Sequence, residues 1–139
     1  MLFPPTYNPV WHLREQGFNP DHIPYYESVF ALGNGYLGTR GSVEEFVRQS
    51  SPATLIAGLY DKAPEHVTEL ANAANWLGIE LSLEGESVSL EGGRILEHER
   101  ILDLHAGVLY RKSLFQLRSN RQLQVVSRRF VSRAPLPVR

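Results

Sequence analysis

Four glycines, Gly33, Gly35, Gly38 and Gly41, fall within nine residues of one another, interleaved with Asn34, Tyr36, Leu37 and Arg40. Residues 33–38 satisfy G-x-G-x-x-G, and Asp61 stands near where the ribose-binding acid of a dinucleotide site would fall. That chemistry needs a helix whose free N–H groups face the pyrophosphate. Here Thr39, Arg40, Gly41 and Ser42 follow, and Pro52 closes the segment, leaving too little chain to cross back over a parallel sheet. A kinase-type glycine loop is excluded in the same way, because no lysine-bearing strand or H-R-D loop follows it. The glycines therefore predict an Asn34–Gly35 hairpin, a backbone device in which positive φ is needed.

Glu44, Glu45 and Asp61 are the carboxylates weighed for catalysis. Glycosidic chemistry needs two convergent carboxyl groups, and no such pair can be assigned, so no catalytic residue is expected. His98 and His105 flank Glu97, Glu99 and Asp103, and in a strand positions 97, 99, 103 and 105 share one side. Solvated acids are the commoner outcome of such loose spacing, and no metal site or cofactor is expected. His12 and His22 lack ligand-like spacing. Arg40, held between Gly38 and Gly41, carries a fork that can pair bidentately. It is read as pairing with Glu27 or Glu44 to pin the hairpin, and alternatively as reaching a domain interface or the periphery of a sugar.

The elements that must position these groups read as strands. Residues 25–32 are expected to be strand-like, with residues 36–41 as the returning partner, and residues 42–45 resemble a capping box that starts one helical turn. Residues 53–60 (ATLIAGLY) read as a short buried strand, and 62–64 break it. Residues 65–77 leave a helix and a strand-then-loop open. Ile79, Leu81 and Leu83 alternate with Glu80, Ser82 and Glu84, and after Gly85–Glu86 the alternation resumes at Val88 and Leu90, as in a half-buried hairpin. Residues 94–104 extend the meander, and residues 107–118 and 122–132 are the longest strands, joined around Ser119–Asn120. Before all this, residues 1–24 carry prolines at 4, 5, 9, 20 and 24 and read as an irregular lead-in, while 134–139 form a tail. The fold class is all-β and mainly antiparallel, in one domain.

Net charge is near zero, but residues 1–93 hold four basic and twelve acidic residues and residues 94–139 hold ten and three. The later arginines, Arg111, Arg118, Arg121, Arg128, Arg129 and Arg133, are spread over both faces of strands. They are read as pairing with the acidic front half and not as a nucleic-acid groove. No apolar run is long enough for a membrane helix. Met1-Leu2-Phe3 runs into Pro4-Pro5 without the order of a signal segment, and there is no cysteine, so a reducing, cytoplasmic setting is expected.

Five segments together resemble the N-terminal domain of glycoside hydrolase family 65, whose members include maltose, trehalose and kojibiose phosphorylases. They are ESVFALGNGYLGTRGSVEE from Glu27, TLIAGLYD from Thr54, ELANAANWLGIELSLEGE from Glu69, RILDL from Arg100, and the pair GVLYRKSLF and SRRFVSRA. Ala74 stands before Asn75–Trp76 where the family often has proline. The resemblance implies a galactose-mutarotase-like super-sandwich, of which this chain spans the front half. It also implies a catalytic (α/α)6 barrel as partner, carrying the general acid and the phosphate-holding groups. A homo-oligomer follows from the sheet surface left uncovered, and a sugar is a further candidate partner. The competing expectation is a free-standing sugar-binding or interaction module.

Overall fold

In residues 108–116 every second side chain, Leu109, Arg111, Ser113 and Phe115, is buried, and those between are half-buried. That period of two is the geometry of a pleated strand with one covered face. The computed structural model, which describes residues 6–62 and 67–133, builds two four-stranded antiparallel sheets and a hairpin around this strand. Residues 1–5 of the lead-in, the break at 63–64, the start of the 65–77 segment and the 134–139 tail lie outside the described residues.

The elements are β1 (His12–Gln16), a single 3-10 turn at Pro20–His22, α1 (Ile23–Val29), β2 (Leu32–Gly33), β3 (Leu37–Thr39) and β4 (Thr54–Asp61). They continue with β5 (Glu69–Asn72), β6 (Leu81–Leu83), β7 (Glu86–Val88), β8 (Arg94–Asp103), β9 (Val108–Gln116) and β10 (Gln122–Arg129). The first sheet runs β1-β8-β9-β10, the second β2-β3-β4-β5, and β6-β7 stand apart as a two-stranded ribbon. The architecture is an all-β antiparallel sandwich with little helix.

Turn chemistry sets the register of the first sheet. Asp103 accepts from the N–H groups of His105 and Ala106, both at 2.9 Å, and Gly107 at φ +65° closes the β8–β9 connection. Asn120, at φ +62°, closes β9–β10. The inner face of this sheet carries two apolar clusters. Phe115 and Leu117 pack with Ile23, Val43, Val47, Val88 and Leu90 at one end, and Leu102 and Leu109 pack with Phe30 at the other. The cover comes from α1, the segment after the glycines and the β6–β7 ribbon, so on β9 the sheet surface that was expected to be left uncovered is covered.

Several sequence expectations are corrected. Residues 25–32 are not a strand: α1 occupies Ile23–Val29, with Pro24 in its first turn. Ile23, Tyr26 and Phe30 recur at helical spacing, and Tyr26 stacks on Phe30 at 5.3 Å. The capping-box reading at 42–45 also fails. No helix forms there, the Ser42 hydroxyl has no partner, and Glu45 is engaged by an arginine. The lead-in is not wholly irregular, because β1 lies between Pro9 and Pro20 and pairs with β8 from His12↔Asp103 to Gln16↔Glu99. β4 is a strand as expected but mostly exposed. The meander is interrupted, since β8 pairs with β1 and β9 and not with β7. Of the segment 65–77, the described residues 67–77 follow the strand-then-loop alternative, through β5. The β6–β7 turn centres on Glu84 and Gly85, both at positive φ, one residue earlier than read.

Candidate functional site

The glycine stretch folds as a hairpin that runs directly into an unpaired segment. β2 and β3 pair at Gly33↔Gly38. The turn places Gly35, at φ +89°, in its first central position, while Asn34 keeps negative φ and bonds as a side chain. Its Oδ1 accepts from the N–H groups of Tyr36 and Leu37 at 2.9 and 2.8 Å, and its Nδ2 donates to the Ser132 carbonyl at 2.7 Å. The hairpin is as expected, but the positive φ belongs to Gly35 alone. Gly41 has a different reason. A Cβ built there would stand 2.4 Å from the Phe30 Cβ and 2.8 Å from the Phe30 carbonyl oxygen, so the segment meets the end of α1 where no side chain fits.

Beyond Thr39 the backbone leaves its sheet, and its carbonyl groups need other donors. Of three arginines on adjacent strands of the first sheet, Arg100 and Arg129 supply them, while Arg111 bonds the segment's carboxylates. Arg100 and Arg111 are cross-strand partners, Arg111 lies opposite Ser127, and Arg129 is two residues further along β10. Arg100 donates to the Gly41 carbonyl at 2.6 Å, and Arg129 to those of Arg40 and Ser42 at 3.3 and 2.7 Å. Arg111 is fully enclosed. Its Nη1 bonds Glu44 and Glu45, its Nη2 bonds Glu45 at 2.8 Å, and its Nε donates to Ser113 at 3.0 Å. A planar fork that satisfies its donors bidentately is the form in which a cation is tolerated in an interior. Arg129 and Ser127 bond the other oxygen of Glu44 at 2.9 and 3.0 Å.

Electrostatics follow this geometry. Burial pushes the Glu44 carboxyl up, but the Arg111 and Arg129 charges and the bonds from Arg111 and Ser127 outweigh it and hold it down at about 2. Burial alone would lower Arg111, and Glu45 and Glu44 together raise it instead. Glu44 is thus a fixed anion, suited to holding a loop and not to giving a proton to a leaving oxygen, and Glu45 holds the same loop through its bonds to Arg111.

Along the same face Glu15 bonds Arg100, whose guanidinium lies 5.0 Å over the Phe30 ring. His98 Nδ1 meets Ser113 Oγ at 2.9 Å. The same oxygen accepts from Arg111 Nε at 3.0 Å. Nε2 faces Glu15 Oε2 at 3.4 Å without hydrogen-bond geometry, and it and Glu15 Oε1 are buried without partners. Burial pushes His98 down, and Glu15 pulls it back only in part. Burial would raise Glu15, but His98 and Arg100 hold it below the usual carboxylate range. Glu15 was missed by the sequence reading, since the only signal for it is a charged residue at an inward position of β1, and β1 itself went unread.

The remaining candidates fall apart from one another. Arg40 Nη2 lies 3.5 Å from Glu27 and donates to the Pro24 carbonyl and Ser28 Oγ at 3.3 and 3.2 Å, so of its two expected partners Glu27 is the one met. Glu27 also accepts from Ser50 Oγ and, at 3.0 Å, from the Ser51 N–H. Glu97 pairs with Lys112, Glu99 with Arg14 and Asp103 with His12, while His105 lies edge-on to Trp11 and His98 points to the opposite face. Among the described residues no three such groups converge on a metal position. Asp61 ends β4, exposed. No helix among the described residues is long and apolar enough to cross a membrane.

The clamp presents one further feature. Glu45 and Val47 are buried on either side of Phe46, which is 82% exposed and forms part of the wall of a cleft of about 530 Å³. Asn75, Ile79, Glu80, Ser89 and Glu91 are among the other residues that line it.

The model of the glycosyl hydrolase family 65 N-terminal domain matches residues 13–138. The chain belongs to this family. A kojibiose phosphorylase of Thermoanaerobacter brockii is 39% identical over 126 residues, 91% of this chain and 16% of that protein. A maltose phosphorylase of Bacillus subtilis is 32% identical over 136 residues, 89% of this chain and 18% of that protein. A solved structure described as "Putative kojibiose phosphorylase from human microbiome" superposes with a TM-score of 0.81 at 25% identity, covering 89% of this chain and 18% of that one. This family 65 N-terminal domain therefore spans less than a fifth of the length of these relatives. Its distinctive segments coincide with the clamp. The glycine stretch supplies the hairpin and the gripped backbone, while RILDL, GVLYRKSLF and SRRF bring Arg100, Arg111 and Arg129 on β8, β9 and β10.

Proposed function

We propose that this chain is the non-catalytic N-terminal β-domain of a carbohydrate-active enzyme acting on α-glucosides such as maltose, trehalose or kojibiose. In this reading it braces an (α/α)6 catalytic barrel carried on further polypeptide and supports dimerisation. One observation carries the reading. Two of the three carboxylates within the glycine-bearing segment 27–45, Glu44 and Glu45, are consumed by Arg111 and Arg129 in a clamp that shapes a loop. A domain whose best-organised polar cluster is internal serves as scaffold for chemistry elsewhere. The relatives are named for phosphorolysis of disaccharides, which supports the substrate class, and the cysteine-free sequence supports a reducing, cytoplasmic setting.

Incubated alone with phosphate and maltose, trehalose or kojibiose, the chain is expected to release no glucose 1-phosphate above background. Release by the chain alone overturns the reading. A second reading, a free-standing sugar-binding module, is favoured by the size of the cleft beside Phe46, which falls in the range of ligand pockets. Calorimetric titration with glucose and maltose separates the two, because saturable binding at the cleft belongs to the second.

A further inference from the structure

A strand is held in its sheet by the backbone ladder and by what its side chains bury. β1 pairs with β8 over five residues, but of its five side chains only His12 and Glu15 are buried, and neither is apolar. Its side-chain attachment is therefore polar. At one end His12 Nδ1 accepts from the Asn8 N–H at 3.0 Å, and its Nε2 lies 3.6 Å from Asp103 Oδ2. Arg14 reaches Glu99 on the exposed side. Glu15 bonds Arg100, and His98 Nε2 stands 3.4 Å from the same carboxylate oxygen.

Apart from Glu15, the groups that face His98 oppose a positive charge on it. Arg100 follows on β8, Arg111 on β9 donates to the Ser113 oxygen that His98 Nδ1 meets, and the Phe18 ring stands edge-on at 5.6 Å. With a neutral imidazole the charges close: Glu15 answers Arg100, while Glu44 and Glu45 answer Arg111 and Arg129. A proton on His98 adds an unanswered charge to a side chain that is 0% exposed.

We propose that β1 is an acid-released strap: between pH 7 and pH 5, His98 takes up its proton when β1 lifts from β8, so acid opens this strand ahead of the rest of the sheet. Burial lowers the ring's pKa, Glu15 offsets this only in part, and Arg111 and Arg100 lower it further. Below the ordinary 6.5 the open strand therefore gains on the closed one, by up to about tenfold for each pH unit. Phe18, packed against the apolar cluster just beyond Gly17, confines the opening to β1. Release also reaches the clamp, because the guanidinium that bonds Glu15 is the one that donates to the Gly41 carbonyl.

Native-state amide exchange of the chain by NMR, at pH 7 and pH 5 and in low concentrations of guanidinium, tests the strap. The β1 amides are expected to lose about tenfold protection or more between the two pH values. At pH 5 their exchange is expected to be nearly independent of denaturant, while β9 amides exchange through denaturant-dependent unfolding. His98→Gln, which keeps a polar group in place but does not titrate, is expected to reduce the loss in β1 to about threefold or less. A β1 with the same denaturant dependence as β9 overturns local release, and an undiminished loss in His98→Gln overturns His98 as its origin. Should that variant fail to fold, the His98 ring in the unaltered chain decides: a titration midpoint below 6.5 supports the strap, and one at or above 6.5 overturns it.

Discussion

Glu44 sits between two cations, Arg111 and Arg129. Its carboxyl titrates at about 2 in the fold against 4.5 as a free group, so the fold stabilises the anion. The sign follows directly: the contribution is complete above pH 4.5, fades as pH falls, and is gone below about 2. It amounts to roughly 3 kcal/mol at neutral pH. Glu15, also lowered, acts in the same direction, and His98, lowered by burial, adds a loss that begins below its ordinary 6.5 because only the unfolded chain takes up that proton freely. Chemical denaturation followed from pH 7 to pH 2 is therefore expected to show stability falling throughout. Glu44→Gln is expected to be less stable at pH 7 and to show a flatter slope between pH 4.5 and 2. An unaltered slope in that variant would mean that Glu44 is not held by Arg111 and Arg129. Pairing of late arginines with early acids was legible in the charge asymmetry of the sequence. Which acid meets which arginine was not, because it depends on strand register, and sequence alone does not give the one-residue parity that turns Arg111 inward and Arg128 outward.

At the scale of elements, one close approach decides how the hairpin joins the rest. Gly41 accepts from Arg100, donates its N–H to the Glu27 carbonyl at 2.8 Å and lies against Phe30, so α1, the gripped segment and β8 meet at a residue without a side chain. Gly41→Ala drives a methyl group into backbone and is expected to cost about 1–3 kcal/mol through displaced packing. Gly38→Ala, where the added Cβ meets nothing within 4 Å, is expected to change stability little. Thermal melts of the two variants test this, and equal losses would refute the contact. That the glycines mark a hairpin could be read from Asn34–Gly35 between apolar residues. That Gly41 serves contact and not turn geometry could not, because its neighbour Phe30 lies on an element whose type was misread. Tyr25 to Leu32 holds aromatic and β-branched residues that favour strands, yet Pro24 and the spacing of Ile23, Tyr26 and Phe30 prevail once the covered face of β8 and β9 is there to receive them. The β6–β7 hairpin, by contrast, was legible in the alternation of apolar and polar residues, and β9 and β10 in their Val, Leu, Tyr and Phe content, which suits a pleated surface.

Across the whole molecule the two sheets differ in how well they are covered. The first carries both apolar clusters and the arginine clamp, while β4 in the second buries only Thr54 fully and leaves Leu59 and Tyr60 in solvent. The apolar content of β4 suggested a buried strand, and the mismatch lies in what the sequence of one domain contains: a strand's composition records the surface it is made to meet, including surface on other polypeptide. In the proposed enzyme that surface belongs to the larger partner, for which the relatives, more than five times this chain's matched length, provide room. Local opening is easiest where few buried contacts hold the backbone. Amide hydrogen exchange on the isolated chain is thus expected to be slowest in β8 and β9 and markedly faster in β4 and β5, whose pairing is also broken between Leu55 and Tyr60. Joined to the catalytic polypeptide, β4 and β5 are expected to slow while β8 and β9 stay unchanged. Equal protection of the two sheets in the isolated chain would show that β4 is already covered, and would remove the uncovered face on which the bracing role depends.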